Sequence, residues 1–336
     1  MKLKLFSAAA LLLLLVGVAF IGYANSWLNS PSIADSVVFD VPRGASVNSV
    51  AVNLQQQGWL AHPKLWSWWA RYQKLSGQLK AGEYQLQPGM TPAQLLQLFA
   101  SGNVILHSLT IVEGSTFAEL RAALRQRDDV EQTLAEVSDD DLMDKLGAAG
   151  VFPEAQFFPD TYQFAKGTRD VEILRIAYQR MQNELQEAWQ TRTADLPLAN
   201  AYEALILASI VEKETAMRAE RPKIAGVFIE RLMRGMRLQT DPTVIYGLGE
   251  QFDGNLRKAD LLRDTPYNTY TRAGLPPTPI CLPGAEALRA AVNPDNTGAI
   301  YFVATGKGGT HYFSKTLQEH NAAVQRYLQT LRQRGT

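Results

Sequence analysis

The sequence begins with an uncharged apolar run from Leu5 to Ala24, twenty residues long. A helix rises about 1.5 Å per residue, so this run is long enough to span the ~30 Å hydrocarbon core of a bilayer. Lys2 and Lys4 precede the run, and the next basic residue is Arg43. The positive-inside rule therefore predicts a cytoplasmic segment at residues 1–4, a transmembrane anchor at 5–24 and a body on the far side of the membrane.

The same run has a second interpretation, a cleavable signal peptide. Gly22, Tyr23 and Ala24 form a small-x-small pattern typical of a cleavage site. However, the run is longer than the ~7–15 apolar residues of a signal-peptide core, which favours an uncleaved anchor. Under either interpretation the body works outside the cytoplasm. The single cysteine, Cys281, agrees with that location, because spare thiols are of little use in an oxidising compartment.

The composition limits the classes of partner and cofactor. The 336 residues include 33 Lys+Arg and 33 Asp+Glu, and 46% of them are apolar, which is typical of a globular chain. A protein that neutralises nucleic-acid phosphates normally carries a basic surplus, so nucleic acid is disfavoured as a partner. The four histidines are scattered and form no cluster with metal-ligand spacing. We therefore expect neither a metal nor a cofactor.

Behind the anchor, the pattern of turns and short periodic segments predicts an α+β chain. Residues 25–35 are polar and contain a proline, which indicates a short stalk. Residues 36–104 predict a small α/β module, and residues 105–336 a larger catalytic domain of helices and short strands. The predicted elements are strands at 36–41, 82–86, 109–113 and 300–304, and helices at 46–57, 65–71, 91–100 and 317–332.

The small module resembles LysM-like modules, which bind glycans that contain N-acetylglucosamine. The resemblance lies in its order of strand, Pro-x-Gly turn, helix and Gly-Trp-Leu. The module also contains a cluster of Trp66, Trp68 and Trp69. One interpretation is that these aromatic faces stack on sugar rings; the other is that they lie in the core or face the membrane.

A predicted helix that begins near Asn200 is the most informative stretch. Glu203 follows Asn200 with the spacing of an N-cap and its N3 residue. Successive residues advance about 100° around a helix, which defines one face to be buried. Four apolar residues share that face: Ile206, Leu207, Ile210 and Val211. Glu214 falls on the same face, whereas Glu212 points almost opposite, so Glu214 is the anomalous carboxylate.

The position of Glu214 has a chemical interpretation. A carboxylate against apolar walls is costly unless it is paired, and desolvation raises its pKa toward neutrality. Such a group suits a general acid at a glycosidic oxygen. Two structural alternatives stay open: an ion pair of Glu214 with Arg218, or a helix end that emerges into solvent.

Motifs around this helix resemble those of a known family. In chain order they are Phe158–Tyr162 (FPDTY), Ile210–Thr215 (IVEKET), Arg237–Tyr246 (RLQTDPTVIY), Pro266–Tyr270 (PYNTY), Gly274–Pro277 (GLPP), Pro283–Gly284 (PG) and Tyr301–Ala304 (YFVA). Their order and spacing resemble the YceG-like (MltG) endolytic murein transglycosylases over essentially the whole chain, most densely between Ala208 and Asn321. Two positions depart from the pattern: Cys281, where we expect a small residue, and His311–Phe313. We expect neither of them to touch Glu214.

The resemblance implies a function. The family cleaves the β-1,4 bond between N-acetylmuramic acid and N-acetylglucosamine in nascent peptidoglycan strands and leaves 1,6-anhydro ends. Its single catalytic glutamate corresponds to Glu214. It further implies a single-pass inner-membrane lyase with a periplasmic body. Its partners would be peptidoglycan glycan strands and penicillin-binding proteins or other peptidoglycan synthases, where its cuts would terminate glycan elongation.

Four polar residues within family-like motifs are candidates for substrate binding: Gln239, Asp241, Tyr246 and Asn268. Asp241 precedes Pro242, which favours an extended, loop-lining conformation; its structural alternative is an Asx turn or helix cap. Asn268 has a turn-stabilising role as its alternative. Asp160 is either a simple turn aspartate, which we favour, or a support for the site.

Two other classes of function stay open from the sequence. A membrane-anchored glycan-binding scaffold would use the anchor and the LysM-like module, with a catalytically silent large domain; the intact Glu-Lys-Glu-Thr motif argues against it. A hydrolytic muramidase would need a second carboxylate, Asp241 or Asp160, as base or nucleophile. The products distinguish these cases, since hydrolysis leaves a reducing sugar and transglycosylation does not.

Overall fold

The computed structural model describes residues 2–334. The chain begins with helix α1, Lys2–Leu28. Its apolar side chains are exposed, Leu13 by 72% and Ile21 by 67%. Exposed apolar surface of this extent is typical of a segment that contacts lipid or another protein. In the described part of the chain it is the one helix long and apolar enough to cross a membrane.

The chain folds into two compact units. The N-terminal unit comprises the residues up to Ser108 together with Asp129–Glu131 and Gln163–Thr168. The C-terminal unit comprises Leu109–Asp128, Gln132–Tyr162 and the residues from Arg169 onward. The domain boundary at residue 104 stays a prediction. A single boundary in the sequence places Asp129–Glu131 and Gln163–Thr168 in the larger domain, whereas in the structure both segments belong to the N-terminal unit.

The N-terminal unit contains an α/β module. Its elements after α1 are β1 (Val37–Val41), α2 (Val47–Gln56), α3 (Pro63–Tyr72), β2 (Gly82–Leu86) and α4 (Pro92–Ser101). β1 and β2 pair antiparallel, with Val37 opposite Leu86. Ser46 caps α2, and Thr91 with Gln94 forms a capping box at α4, so both helices begin where the sequence predicts.

Trp66 lies at the centre of this module. Its side chain is fully buried, and its indole N–H donates a hydrogen bond to the carbonyl oxygen of Pro92 at 2.8 Å. Tyr84 is also fully buried and donates to the carbonyl oxygen of Lys80 at 2.7 Å. Trp66 is therefore a core residue. Trp68, by contrast, is 56% exposed, so the predicted tryptophan cluster does not act as one group.

Residues 25–35 differ from the predicted stalk. α1 continues to Leu28, and both Leu28 and Ile33 are buried. The backbone N–H of Gly89 donates to the carbonyl oxygen of Ile33 at 2.8 Å. The polar composition of the segment suggested a free connector, but its two apolar side chains and this hydrogen bond attach it to the module.

The elements that follow are mostly helices. In chain order they are β3 (Leu106–Thr110), α5 (Phe117–Arg125), β4 (Val130–Glu131), α6 (Asp139–Leu146), β5 (Thr161–Ala165), β6 (Thr168–Arg169), α7 (Asp170–Gln190), α8 (Ala201–Glu214), α9 (Arg221–Met233), α10 (Asp241–Leu248), α11 (Lys258–Leu262), α12 (Ala285–Val292), β7 (Tyr301–Ala304), β8 (His311–Ser314) and α13 (Leu317–Arg334). β3 pairs with β5, β4 with β6, and β7 antiparallel with β8. The strand predicted at 109–113 begins and ends three residues earlier, because the chain already turns at Val112, whose carbonyl accepts from the Ser115 N–H.

Helix α8 is the core of the C-terminal unit. All eight residues from Ala204 to Val211 are buried. Helices α7, α9, α10 and α12 pack against it. The predicted one-sided burial is wrong, since Ala208 and Ser209 on the opposite face are buried as well. A helix that is covered on all sides can present only its end to a ligand, and that end is the Glu-Lys-Glu-Thr motif.

Candidate active site

Glu214 is the last residue of α8. At the other end, the Asn200 side chain accepts a hydrogen bond from the Glu203 N–H at 3.0 Å, as the spacing predicts. After Glu214 the backbone of Thr215 is extended, with φ −148° and ψ 131°, so the helix stops there. The negative end of the helix dipole lies beside the Glu214 carboxyl group and disfavours its charged form.

Glu212, two residues earlier, is held in a buried ion pair. The side chains of Glu212 and Arg221 are each 5% exposed, and Oε1 of Glu212 lies 2.5 Å from Nη2 of Arg221. Oε2 of Glu212 accepts the backbone N–H of Gly284 at 3.0 Å. Burial raises the pKa of Glu212, and the Gly284 N–H and the Arg221 charge oppose that rise. Both carboxylate oxygens have fixed partners, which makes Glu212 a structural residue.

Glu214 has a different environment. Its predicted alternative partner, Arg218, instead forms an ion pair with Glu286 at 3.3 Å. The half-buried Glu214 carboxyl group accepts a hydrogen bond at Oε1 from the hydroxyl of Thr240. Burial raises the pKa of Glu214, and the Asp241 charge adds to the rise. The Thr240 hydroxyl and the charges of His311 and Arg231 act in the opposite direction.

Thr240 is itself fixed by other threonines. It is buried, and its N–H donates to the hydroxyl of Thr269 at 3.0 Å. The hydroxyl of Thr243 donates to the Thr240 carbonyl oxygen at 2.8 Å. Thr240 and Thr269 come from two different family-like motifs, and Glu214 comes from a third. The fold therefore brings three separate motifs of the sequence to one carboxyl group.

Gln239, a predicted substrate-binding residue, precedes Thr240 in an unusual backbone conformation. Its φ is +49°, in the left-handed region that residues other than glycine rarely adopt. Its N–H donates to the carbonyl oxygen of Thr269 at 3.1 Å, which holds the backbone there, while its side chain is exposed. Backbone strain of this kind, worth about 1–3 kcal/mol, concentrates at functional sites.

Asp241, the second candidate, begins α10, so the prediction of a loop at this position is wrong. Pro242 follows it because proline fits the first turn of a helix, where its missing N–H has no partner to lose. The exposed Asp241 side chain accepts a hydrogen bond at Oδ1 from the Tyr270 hydroxyl at 2.6 Å. Burial and the Asp241 carboxylate together raise the pKa of Tyr270, so Tyr270 remains a donor.

Tyr246, the third candidate, is partly buried on α10. Its hydroxyl donates to Oε2 of Glu154 at 3.1 Å, and its ring meets that of Tyr267 edge-on at 5.0 Å. Oε1 of the buried Glu154 accepts the N–H of Phe117 at 2.9 Å. Burial raises the pKa of Glu154 to about 7. The Tyr246 hydroxyl therefore has its hydrogen-bond partner, Glu154, within the protein.

Asn268, the fourth candidate, is buried and closes the end of α11. Its amide group donates to the carbonyl oxygens of Arg263 at 2.7 Å and Leu261 at 3.1 Å. Its side-chain oxygen accepts the N–H of Tyr270 at 2.8 Å. These contacts match the turn-stabilising alternative. Through the last of these bonds Asn268 also fixes the backbone of Tyr270, whose hydroxyl donates to Asp241.

A cleft of 450 Å³ lies in front of Glu214. Strands β7 and β8 form a hairpin along the cleft. Residues 306–310 of the hairpin tip (residues 305–310) line the cleft together with α13. The tip contains Lys307 and three glycines with left-handed φ: Gly306, Gly308 and Gly309. His311, at the start of β8, also lines the cleft. A concave cleft with a carboxyl group on its wall is a candidate ligand-binding site.

The profile of the YceG-like family matches residues 39–326 of the chain. The chain belongs to the YceG-like family. A Bacillus subtilis (strain 168) protein named endolytic murein transglycosylase is 33% identical, over 94% of this chain and 91% of that protein. A Streptococcus pneumoniae (strain D39) protein of the same name is 28% identical over 87% of this chain, which spans 58% of that relative. The 2.6 Å crystal structure of a YceG-like protein from Listeria monocytogenes is 28% identical, with a TM-score of 0.52, over 86% of this chain and 99% of that one.

His311 is a site residue of this YceG-like chain that we did not predict. The sequence marked His311–Phe313 only as a departure from the family pattern, with no expected contact to Glu214. In the structure His311 lines the cleft beside Glu214 and lowers its pKa. Nδ1 of His311 lies 2.7 Å from Oε2 of Glu220, a residue 91 positions away in the chain. No local sequence pattern reports a pair with that separation.

Arg231 is a second unpredicted residue at this YceG-like site. It is buried, and its Nε donates to the carbonyl oxygen of Ile300 at 2.7 Å. Its Nη1 donates to the carbonyl oxygen of Leu238 at 2.6 Å. One guanidinium group therefore connects the start of β7 with the segment that carries Gln239 and Thr240.

Like the four substrate-binding candidates, two further predicted positions lie outside the cleft lining. Asp160 forms an ion pair with Arg180, and its Oδ1 accepts the Thr161 N–H at 2.6 Å, so both carboxylate oxygens have partners within the protein. Cys281 is fully buried and its thiol donates to the carbonyl oxygen of Ser209 at 3.2 Å. Burial raises the pKa of this thiol, so Cys281 packs as a core residue.

Proposed function

We propose that this chain is an endolytic murein transglycosylase in which Glu214 is the single general acid and base. Membership of the YceG-like family and the name carried by the Bacillus and Streptococcus relatives support the reaction class. One observation carries the role of Glu214. It is a half-buried carboxyl group with a raised pKa and a fixed hydroxyl donor, on the wall of a 450 Å³ cleft.

Glu214 acts twice in the proposed reaction. Its protonated carboxyl group first donates the proton to the oxygen of the leaving N-acetylglucosamine as the bond from that oxygen to C1 of N-acetylmuramic acid breaks. The resulting carboxylate then takes the proton of the C6 hydroxyl of the same muramoyl residue, while O6 bonds to C1 and closes the 1,6-anhydro ring. Glu214 begins and ends protonated, and no water is consumed.

The intramolecular attack removes the need for a second catalytic carboxylate. A hydrolase positions a nucleophile or a water with another Asp or Glu, whereas here the C6 hydroxyl is already held close to C1 by its own ring. The raised pKa of Glu214 suits the first step, because the group must be protonated near neutral pH. The Thr240 hydroxyl occupies Oε1 and leaves Oε2 to exchange the proton.

The predicted substrate-binding residues divide into two groups in this proposal. Gln239 and Asp241 flank Thr240 and are exposed, so we assign them contacts with the sugars. Tyr246 and Asn268 use their polar groups inside the protein, and we assign them the positioning of α10 and of Tyr270.

The proposal extends to the location and partners of the enzyme. The exposed apolar surface of α1 supports a single-pass anchor in the inner membrane, with a cytoplasmic N-terminus and a periplasmic body. The order of strands and helices in the module supports a LysM-like glycan-binding role. Penicillin-binding proteins as partners follow from the family resemblance alone, and cuts made beside a synthase would terminate strand elongation.

The test is the chemistry of the products. The full chain in detergent micelles is incubated with uncrosslinked peptidoglycan strands and the products are analysed by mass spectrometry. We expect muramoyl ends that are one water lighter than hydrolysis products. Glu214→Gln should abolish them, and Glu250→Gln, at an exposed carboxylate of the same unit, should not.

Three results would contradict the proposal. Reducing muramoyl ends would indicate a hydrolytic muramidase and direct attention to Asp241 as the second carboxylate. An unchanged yield from Glu214→Gln would remove Glu214 from the reaction, and no cleavage by either protein would favour the glycan-binding scaffold.

A further inference from the structure

A groove of 390 Å³ lies between the end of α1 and α3 in the N-terminal unit. Its apolar lining includes Phe20, Ile21, Leu65, Trp68, Trp69 and Tyr72. Trp68 is 56% and Tyr72 67% exposed, and their rings stack with centroids 5.7 Å apart. The core of the module uses Trp66 and leaves these two large aromatic side chains at the surface.

The groove lies at one end of the apolar run of α1. The run from Leu5 to Ala24 covers about 30 Å, so its last five residues, which include Phe20 and Ile21, reach the boundary between hydrocarbon and headgroups. Two contacts hold α3 at this level. The Tyr23 hydroxyl lies 2.7 Å from Nε2 of His62, the N-cap of α3, and the Trp27 ring meets the His62 ring edge-on at 5.2 Å.

The charge around α3 differs from that of the whole chain. Between Asp40 and Glu83 the sequence contains no acidic residue and five basic ones: Arg43, Lys64, Arg71, Lys74 and Lys80. Lys64, Arg71 and Lys74 are exposed on α3 or directly after it. The chain as a whole has a formal net charge of zero, so this stretch concentrates positive charge next to the groove.

We propose that α3 is a membrane-interface helix and that the groove holds the upper part of the acyl chain of an anionic phospholipid. Trp68 and Tyr72 then lie at headgroup level, where amphipathic aromatic rings concentrate, and the three exposed cations face the phosphates. The inference rests on the membrane anchor of the proposed function. It adds that the first module lies on the bilayer surface.

A lipid fits the groove better than a sugar does. A pyranose ring carries hydroxyl groups around its edge, and each one that is buried needs a hydrogen-bond partner. The polar side-chain groups of the lining are the Asn25 amide, the Tyr72 hydroxyl and two indole N–H groups, and the remaining side chains are apolar. Trp66 is buried in the core of the module whereas Trp68 is exposed at its surface, which favours the membrane-facing interpretation for Trp68.

The test measures the depth of α3 in a bilayer. Spin labels are attached to the full chain in nanodiscs at Tyr72→Cys, at Val16→Cys as a reference inside the bilayer and at Gln126→Cys as an exposed reference. The native Cys281 is buried and does not compete for the label. Collision rates with oxygen and with a water-soluble nickel chelate report whether each label is in lipid or in water.

In nanodiscs of phosphatidylglycerol and phosphatidylcholine, we expect the label at position 72 to be more accessible to oxygen and less accessible to the nickel chelate than the label at position 126. This difference should shrink in phosphatidylcholine alone and in the triple variant Lys64→Gln, Arg71→Gln, Lys74→Gln. If position 72 matches position 126 while position 16 is in lipid, the anchor stands and the interface helix is wrong. If position 16 is in water, the anchor fails and the inference with it. If soluble glycan strands immobilise the label at 72 and the bilayer does not, α3 is a sugar platform.

Discussion

Two glutamates at the end of α8 lie two residues apart and have opposite environments. On the ion-pair side, defined by Glu212, Arg221 and Gly284, both carboxylate oxygens have fixed partners. On the cleft side, defined by Glu214, Thr240 and His311, one oxygen has a hydroxyl donor and the group faces a cleft. Burial raises the pKa of both glutamates, so a raised pKa alone does not identify the proposed general acid. What distinguishes them is the number of fixed partners and the access of a ligand.

The largest effect should come from the ion-pair side. Arg221→Met leaves the Glu212 charge buried without its partner, so the free energy of unfolding should fall by about 3–5 kcal/mol. Urea unfolding measures this change. The double variant Glu212→Leu with Arg221→Met removes both charges and should recover most of the loss.

The loss in Arg221→Met should also depend on pH. Without Arg221 the folded-state pKa of Glu212 rises further above its unfolded value, so the folded chain holds the proton at higher pH than the unfolded chain does. Stability is then retained at low pH and lost as pH rises through the raised pKa. A loss that is the same at acid and alkaline pH would contradict the buried-charge explanation.

The second effect tests Asn268, whose side chain fixes the backbone of Tyr270. Asn268→Ala removes the hydrogen bonds that the buried Asn268 side chain donates to carbonyl oxygens at the end of α11, and this loss should cost about 1–3 kcal/mol of unfolding free energy. The turnover number of the remaining folded enzyme should change little. A raised KM with unchanged stability would instead favour the direct sugar contact that the sequence suggested.

The third effect concerns Thr240. Thr240→Val keeps the shape and removes the donor to Glu214, so kcat/KM should fall on the order of tenfold, the value of one hydrogen bond to a charged group. Thr240→Ser keeps a hydroxyl and should retain most of the rate. Because the Thr240 hydroxyl lowers the pKa of Glu214, its removal should also move the loss of activity to higher pH. A shift to lower pH would contradict the assignment of Glu214 as the acid.

The smallest effect should come from His311. In the proposed mechanism the first step requires protonated Glu214, so activity should be lost as pH rises through that pKa. His311 lowers the pKa of Glu214. His311→Gln should therefore move the alkaline limb of the pH–rate profile to higher pH, by less than Thr240→Val does. His320→Gln, outside the cleft lining, should leave the limb in place. Equal shifts in both variants would remove His311 from the site.

The features that the sequence predicted are local ones. The caps at Ser46, Thr91 and Asn200 depend on neighbours three residues away, so the starts of these helices were predictable. Periodicity together with a family motif also singled out Glu214. Contacts over long separations were not predictable: the complete burial of α8 depends on helices far away in the chain. Asp241 was misplaced because proline follows both extended residues and the first residue of a helix.

The cleft has a fixed frame and a replaceable edge. The Arg231 guanidinium connects Ile300 with Leu238, so the base of the hairpin and the segment that carries Thr240 keep a constant spacing. The hairpin tip at residues 305–310 lies beyond that connection: its three glycines hold left-handed φ values, and Lys307 is an exposed side chain that lines the cleft. Grafting the tips of related chains onto this frame is therefore a route to enzymes that cut glycan strands of different length or decoration with the same chemistry.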